Sequence, residues 1–179
     1  MKIPSCILLL AAFGFTLAAD DKKPTTADAT VFREPFTLKL RLDKDRYYEQ
    51  KIPKTQFVIE DNVYLFVGEK FGIVLEIDYK GVFAIHYQPD EGKADVFLEL
   101  KEETAKDGSV STTLILHNKT KHTLNLDTLL TVPDQQGMTR TRISPIQPGS
   151  TNRQTWPHAI IQLCLCNVQV GKESPTSTR

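Results

Sequence analysis

Alternating apolar and polar residues, interrupted by short turn signals, constrain the fold of this chain more than any other feature of its sequence. Phe36, Leu38, Leu40 and Leu42 alternate with polar residues, which is the period expected of a β-strand with one face in solvent. Clusters of turn-forming residues recur at 78–81, 89–92, 106–108 and 133–137. Short strands about 8–12 residues apart predict an all-β fold. We expect an immunoglobulin-like antiparallel β-sandwich.

The last apolar segment, 159–170, differs from the other predicted strands because both of its faces are apolar. Strict alternation would place Ile161, Leu163 and Leu165 on one side, and Ile160, Cys164, Cys166, Val168 and Val170 on the other. A strand that is apolar on both sides is covered on both sides. We expect the N-terminal segments to cover it, with a subunit interface as the alternative.

The first residues have the layout of a secretory signal peptide. Lys2 supplies a positive charge, residues 7–17 form an apolar run, and Ala18-Ala19 is a small-residue cleavage site. A run this short covers about half of a bilayer core, which argues against a membrane anchor. We therefore expect cleavage of residues 1–19 and a secreted or periplasmic product with no membrane span.

The rest of the chain divides by composition into a polar leader, one domain and a polar tail. Residues 20–35 and 172–179 have no apolar period and are expected to be flexible or disordered. Residues 36–171 form the predicted single β-sandwich domain, a length typical of one domain. Lys+Arg and Asp+Glu are both 22, so there is no net charge to attract nucleic acid.

Several segments in the second half of the chain resemble exported bacterial proteins. Residues 114–120 and 124–126 look like the strand–turn–strand opening of immunoglobulin-like modules. The Trp156-Pro157-His158 segment, followed by Leu163-x-Leu165-x-Asn167, is similar to an uncharacterised group of bacterial exported β-sandwich proteins. The resemblance covers about residues 110–170 and implies export and a β fold. It implies no activity and no cofactor.

Cys164 and Cys166 are the cysteines that follow the predicted cleavage site. At positions i and i+2 of a strand, both thiols point to the same face, and their Cα atoms are too far apart for an easy disulfide. They could bind a soft ion such as Cu(I), with His158 or Met138 as further ligands. The alternatives are two buried core side chains or an intermolecular disulfide.

Three other features are candidates for binding or modification. Trp156 could stack on a ligand or close the core, and Arg140 and Arg142 share a strand face that could hold an anion. Asn118-Lys119-Thr120 matches the acceptor pattern for N-glycosylation. In a sandwich, the Asn118 amide would instead close a corner by bonding nearby backbone.

Catalytic motifs are missing from the sequence. It contains no Gly-x-Ser-x-Gly elbow, phosphate-binding Gly loop or calcium-binding acidic loop. The four histidines are scattered singly. We therefore expect no enzyme activity and a binding or structural module whose partner is a protein or a cell-envelope component. The alternatives are a periplasmic copper-handling protein using Cys164 and Cys166, and a hydrolase with a dispersed site.

Overall fold

A computed structural model describes residues 30–171. The expected signal peptide, most of the expected leader and the expected tail at 172–179 lie outside these residues. The described chain consists of β-strands and one 3-10 turn, Glu91–Lys93. The strands are β1 (Phe32–Arg33), β2 (Phe36–Arg41), β3 (Tyr47–Ile52), β4 (Thr55–Gln56), β5 (Val58–Ile59), β6 (Asn62–Phe66), β7 (Lys70–Asp78), β8 (Gly81–Gln88), β9 (Val96–Thr104), β10 (Val110–Asn118), β11 (Leu124–Thr131), β12 (Thr139–Arg142), β13 (Thr151–Trp156) and β14 (Gln162–Val170).

Ten of these strands form two antiparallel sheets that pack face to face, which confirms the predicted β-sandwich. Sheet 1 has the order β13-β10-β9-β7-β8, and sheet 2 has the order β12-β11-β14-β6-β5. The predicted hairpin around 78–81 is β7–β8, in which Asp78 pairs with Gly81. Among the described residues, no helix is long and apolar enough to cross a lipid bilayer.

The main core lies between the two sheets and is built from alternate residues of their central strands. Leu98 and Leu100 of β9 face Leu163 and Leu165 of β14, and each side chain is almost completely buried. Trp156, at the end of β13, packs into the same core. The period-two pattern therefore positions the apolar side chains of both sheets toward one interior.

A second apolar cluster joins the N-terminal hairpin β2–β3 to sheet 2. Leu38, Leu40 and Ile52 of the hairpin pack against Phe66 and Ile161, which face away from the main core. The final strand β14 lies between β11 and β6. The strand is therefore central, as expected. The N-terminal hairpin covers the chain just before this strand begins, at Ile161, which confirms the expected covering at that point.

The strict alternation predicted along the final strand is wrong at both ends. Ile160 packs in the main core and Ile161 in the hairpin cluster, because the regular strand begins only after them. At the other end, Asn167 and Val168 stand opposite a single residue of β11, which makes a β-bulge. Asn167 adopts φ 52°, and the extra residue turns Val168 toward the main core, away from the face of Cys166.

The predicted boundary of the leader at residue 35 is also wrong, because β1 belongs to the folded structure. Arg33 is 5% exposed, and its guanidinium donates to both carboxylate oxygens of Glu69, at 2.7 and 3.0 Å. It also donates to the backbone carbonyls of Gln56 at 2.6 Å and Tyr64 at 2.7 Å, and it lies 4.2 Å from the centre of the Phe57 ring. A buried guanidinium with this many partners anchors the chain before β2.

Candidate functional site

Three segments meet at the end of the sandwich that the N-terminal hairpin covers. We call this the hairpin end; it comprises the β2–β3 turn at 42–46, the β11–β12 loop at 132–138 and the β13–β14 segment at 157–161. Leu42, Arg46, residues 132–134, His158 and Ala159 line a cleft of about 160 Å³ there. Its lining combines apolar side chains with the charged groups of Arg46 and Asp134.

Short-range contacts hold the Arg46 side of the cleft in shape. The Arg46 guanidinium donates to Asp43 at 2.6 Å. The pKa of Asp43 is lowered, first by the backbone N–H of Asp45 and then by Arg46, while Asp43 raises the pKa of Arg46. Asp134 adopts φ 63°, a conformation that Asp and Asn tolerate better than most residues. Arg46, on the β2–β3 turn and paired with Asp43, therefore lies on one wall of the cleft, and Asp134, on the β11–β12 loop, lies on another.

The His158 side of the cleft is attached to sheet 1. The Thr112 hydroxyl, which is completely buried, donates to the His158 backbone carbonyl at 2.9 Å. The His158 ring nitrogen Nδ1 lies 3.1 Å from the carbonyl oxygen of Ala159. This segment is thus fixed by a buried strand.

The volume of the cleft decides what it can hold. Sites for drug-sized molecules are usually about 300–1,000 Å³, and this cleft is about half of the lower limit. It can take one side chain with an apolar stem and a polar tip. A cleft of this size is better suited to binding one side chain of a partner protein than to enclosing a complete small-molecule substrate.

A half-buried carboxylate lies behind the hairpin. The backbone N–H of Arg41 donates to Glu102 Oε1 at 3.3 Å, but Glu102 Oε2 is buried without a hydrogen-bond partner. Burial raises the pKa of Glu102. The sequence showed this residue only as part of a polar Glu102-Glu103 pair, because nothing in the strand pattern indicated that a hairpin would cover it.

Cys164 and Cys166 both carry free thiols on the outer face of sheet 2, the side turned away from sheet 1. Cys164 is buried beside Tyr64 of β6, and Cys166 is half-buried, with its Sγ 3.7 Å from the Asp127 carbonyl oxygen. Burial, followed by the neighbouring Cys166 thiol, raises the pKa of Cys164 to about 11. The two cysteines therefore share a face, as predicted, and are not joined by a disulfide.

The further ligands suggested for these thiols are not collected around them. Within residues 30–171, no group of three His, Cys, Asp or Glu side chains is placed to hold a metal ion. His158 lines the cleft at the hairpin end, and Met138 lies on the loop between β11 and β12. Copper binding thus stays a prediction, limited to the two thiols.

Arg140 and Arg142 lie on edge strand β12, next to these thiols. Arg140 Nη2 is 2.7 Å from Asp127 Oδ2, and Asn167 Nδ2 is 3.2 Å from the same oxygen. These bonds, that of Arg140 first, lower the pKa of Asp127. The Arg140 charge is therefore already paired, and Arg142 remains beside the same carboxylate as a second positive group.

Two histidines have polar partners, both on the outer face of sheet 1. His86 Nε2 is 2.9 Å from Glu76 Oε1, and His117 Nδ1 is 2.9 Å from Thr151 Oγ1. β8 and β10 are three strand positions apart in the sheet, which is about 14 Å. The two pairs cannot act on the same bond, so they do not form the convergent site that a hydrolase needs.

Asn118 closes the corner between the sheets as the sandwich interpretation predicts. Its Nδ2 donates to the carbonyls of His122, Ile146 and Gln147 at 2.8, 3.0 and 3.2 Å. Its Oδ1 accepts from the Thr120 backbone N–H and hydroxyl. The residue is 0% exposed, so its amide is inaccessible to glycosylation in the folded protein.

Comparison with known proteins adds no relative to this description. No protein-family model, curated protein or solved structure matches the chain.

Proposed function

We propose that this chain is an exported, non-catalytic β-sandwich that binds a protein or cell-envelope partner at its hairpin end. The observation that supports this most directly is the cleft formed by three segments on a rigid frame. Loops held by a packed scaffold are the usual position of recognition residues. The proposed mode of binding is insertion of one partner side chain between Arg46 and Asp134.

The residues in the cleft favour binding over catalysis. Its lining contains no Ser, Thr or Cys that could act as a nucleophile, and the ring contact of His158 is to a backbone carbonyl. A nucleophile with a base in hydrogen-bond reach is the minimum for covalent hydrolysis. A pair of opposite charges beside apolar side chains instead matches a polar side chain on an apolar stem.

Export and the immunoglobulin-like assignment are parts of the same proposal. Export rests on the signal-like pattern at residues 1–19. The immunoglobulin-like assignment rests on the two packed antiparallel sheets and on the resemblance of residues 110–170, since many extracellular sandwiches share this architecture without sharing one strand order.

Site-specific photo-crosslinking in the organism that encodes the chain tests the proposed binding site. A photoreactive residue at position 42, on the cleft wall, leaves both charged groups in place and is expected to give one discrete adduct. The same residue at Lys101, on the outer face of sheet 1, is the matched control and is expected to give none. An adduct at Lys101 alone, or at neither position, would contradict the proposal.

A charge variant separates recognition by the cleft from simple proximity. Asp134→Asn removes the charge and keeps a residue that tolerates φ 63°, so the loop should keep its shape. We expect Asp134→Asn to reduce the position-42 adduct several-fold. An unchanged yield would show that the Asp134 carboxylate takes no part in binding.

A further inference from the structure

We propose that Cys164 and Cys166 form a two-coordinate site for a soft monovalent cation of the Cu(I) class. The site lies on the outer face of sheet 2 and is independent of the cleft at the hairpin end. It uses the two free thiols described above and no third side-chain ligand.

Strand geometry favours an ion bridge over a disulfide between these cysteines. Positions i and i+2 of an extended strand are about 6.6 Å apart. A linear sulfur–metal–sulfur bridge spans about 4.6 Å if each bond is about 2.3 Å, so each sulfur has to move about 1 Å toward the other. A disulfide of about 2.05 Å would require each sulfur to move more than 2 Å, which needs backbone movement.

The surrounding charges compensate the charge that such a complex carries. Binding releases the protons of both thiols to solvent, and the resulting two thiolates with one monovalent cation have a net charge of −1. On the β11–β12 side of Cys166 lie Arg140, Arg142 and Asp127, whose charges sum to +1.

Burial also suits a bound ion. Cys164 is 3% exposed, which protects one sulfur from solvent, while the half-buried Cys166 provides the route of entry. In the free protein the Cys166 S–H donates to the Asp127 carbonyl oxygen at 3.7 Å, a weak bond that is given up when the thiol loses its proton to bind the ion. Because of the β-bulge at Asn167, the residues that follow Cys166 no longer continue the face that carries the two thiols.

The ligand set also selects between classes of metal. Zn²⁺ in structural sites takes four ligands in tetrahedral geometry, and the described residues offer two. Soft thiolate ligands are the set that Cu(I) prefers. The same pair should bind Ag(I), which has the same charge and softness, and should discriminate against Zn²⁺.

Anaerobic titration of the full-length chain with Cu(I), against a competing chromophoric chelator, tests the site. The background is Cys6→Ser, which removes the remaining cysteine. We expect one Cu(I) per chain in this background and at least a 100-fold loss of affinity in Cys6→Ser/Cys166→Ser. Because Cys166 is half-exposed, that variant should keep the thermal unfolding profile of the background.

A structural readout and a control variant complete the test. X-ray absorption at the copper edge should show two sulfur neighbours and no nitrogen, and native mass spectrometry should show one ion on a monomer. Met138→Leu, which changes a soft side chain on the β11–β12 loop outside the proposed pair, should bind as the background does. Equal affinity with and without Cys166, copper shared between two chains, or a nitrogen neighbour would each overturn the proposal.

Discussion

Replacing Asn118 should destabilise the whole sandwich, because its side chain joins three separate segments of backbone at one corner. Its amide bonds the carbonyls of His122, Ile146 and Gln147, and its oxygen accepts two bonds from Thr120. Asn118→Ala removes all of these partners at once. Asn118→Asp keeps the shape but places a carboxylate oxygen against the three carbonyl oxygens.

The size of the effect follows from the number of hydrogen bonds lost. Nδ2 has two hydrogens for its three carbonyls, so about four full hydrogen bonds are lost, each with a net value of about 0.5–1.5 kcal/mol. Four such bonds give about 2–6 kcal/mol in total. The carbonyls of His122, Ile146 and Gln147 each keep another donor, which places the loss in the middle of that range. We expect Asn118→Ala to lower the free energy of unfolding by about 3–5 kcal/mol, a large part of the roughly 5–15 kcal/mol of a typical domain. Asn118→Asp should cost at least as much at neutral pH, since one oxygen of the buried carboxylate would face three carbonyl oxygens.

Urea unfolding followed by fluorescence measures both variants. Trp156 is the single tryptophan of the chain and is 7% exposed, so its emission reports loss of the core. Asn152→Ala, at a half-exposed position of β13, is the matched control and should change stability by less than about 0.5 kcal/mol. A loss of less than about 1 kcal/mol in Asn118→Ala would refute the structural role assigned to this corner.

Three further predictions concern other parts of the chain. Glu102→Gln should stabilise the protein by about 1 kcal/mol at neutral pH, because the native carboxylate is buried with one oxygen unpaired. Burial raises the pKa of Glu102 above its ordinary value of 4.5. The stability of wild type relative to the variant is therefore greatest below pH 4.5 and decreases as pH rises through the pKa of the folded state. Urea unfolding at several pH values measures this dependence. Arg33→Met should cost about 3–5 kcal/mol because the partly buried Glu69 carboxylate loses its ion-pair partner and keeps only the Phe66 backbone N–H. The double variant Arg33→Met/Glu69→Gln should cost less, measured as a double-mutant cycle. If the signal-peptide interpretation is right, mass spectrometry of the exported product should find Asp20 as its first residue.

The architecture could be predicted because strand periodicity is a local property. Leu98 and Leu100, or Leu163 and Leu165, point the same way in any pleated strand, so the pattern alone indicates which side chains meet. The corner amide of Asn118 was predictable for a similar reason, since its position after a strand and before Thr120 is typical of a turn that bonds its own backbone.

The errors arose where distant segments meet or where one extra residue changes the register. Arg33 lies in a polar stretch without a period, and only the folded chain brings Glu69 to it, 36 residues later. The bulge at Asn167 could not be read from apolar spacing, because Val168 is apolar on either face. The cleft was also missed, since its walls come from three segments that are far apart in the sequence.

The sequence by itself determined that this chain forms pleated strands with a shared apolar interior, because side-chain direction along a strand depends only on neighbouring residues. It also determined that Cys164 and Cys166 point the same way. The tertiary structure alone decided which polar groups are buried, such as Arg33 and Glu102, and which loops form a cleft. Those properties depend on contacts between residues far apart along the chain, and solvent exposure is set only after both sheets and the N-terminal hairpin have packed.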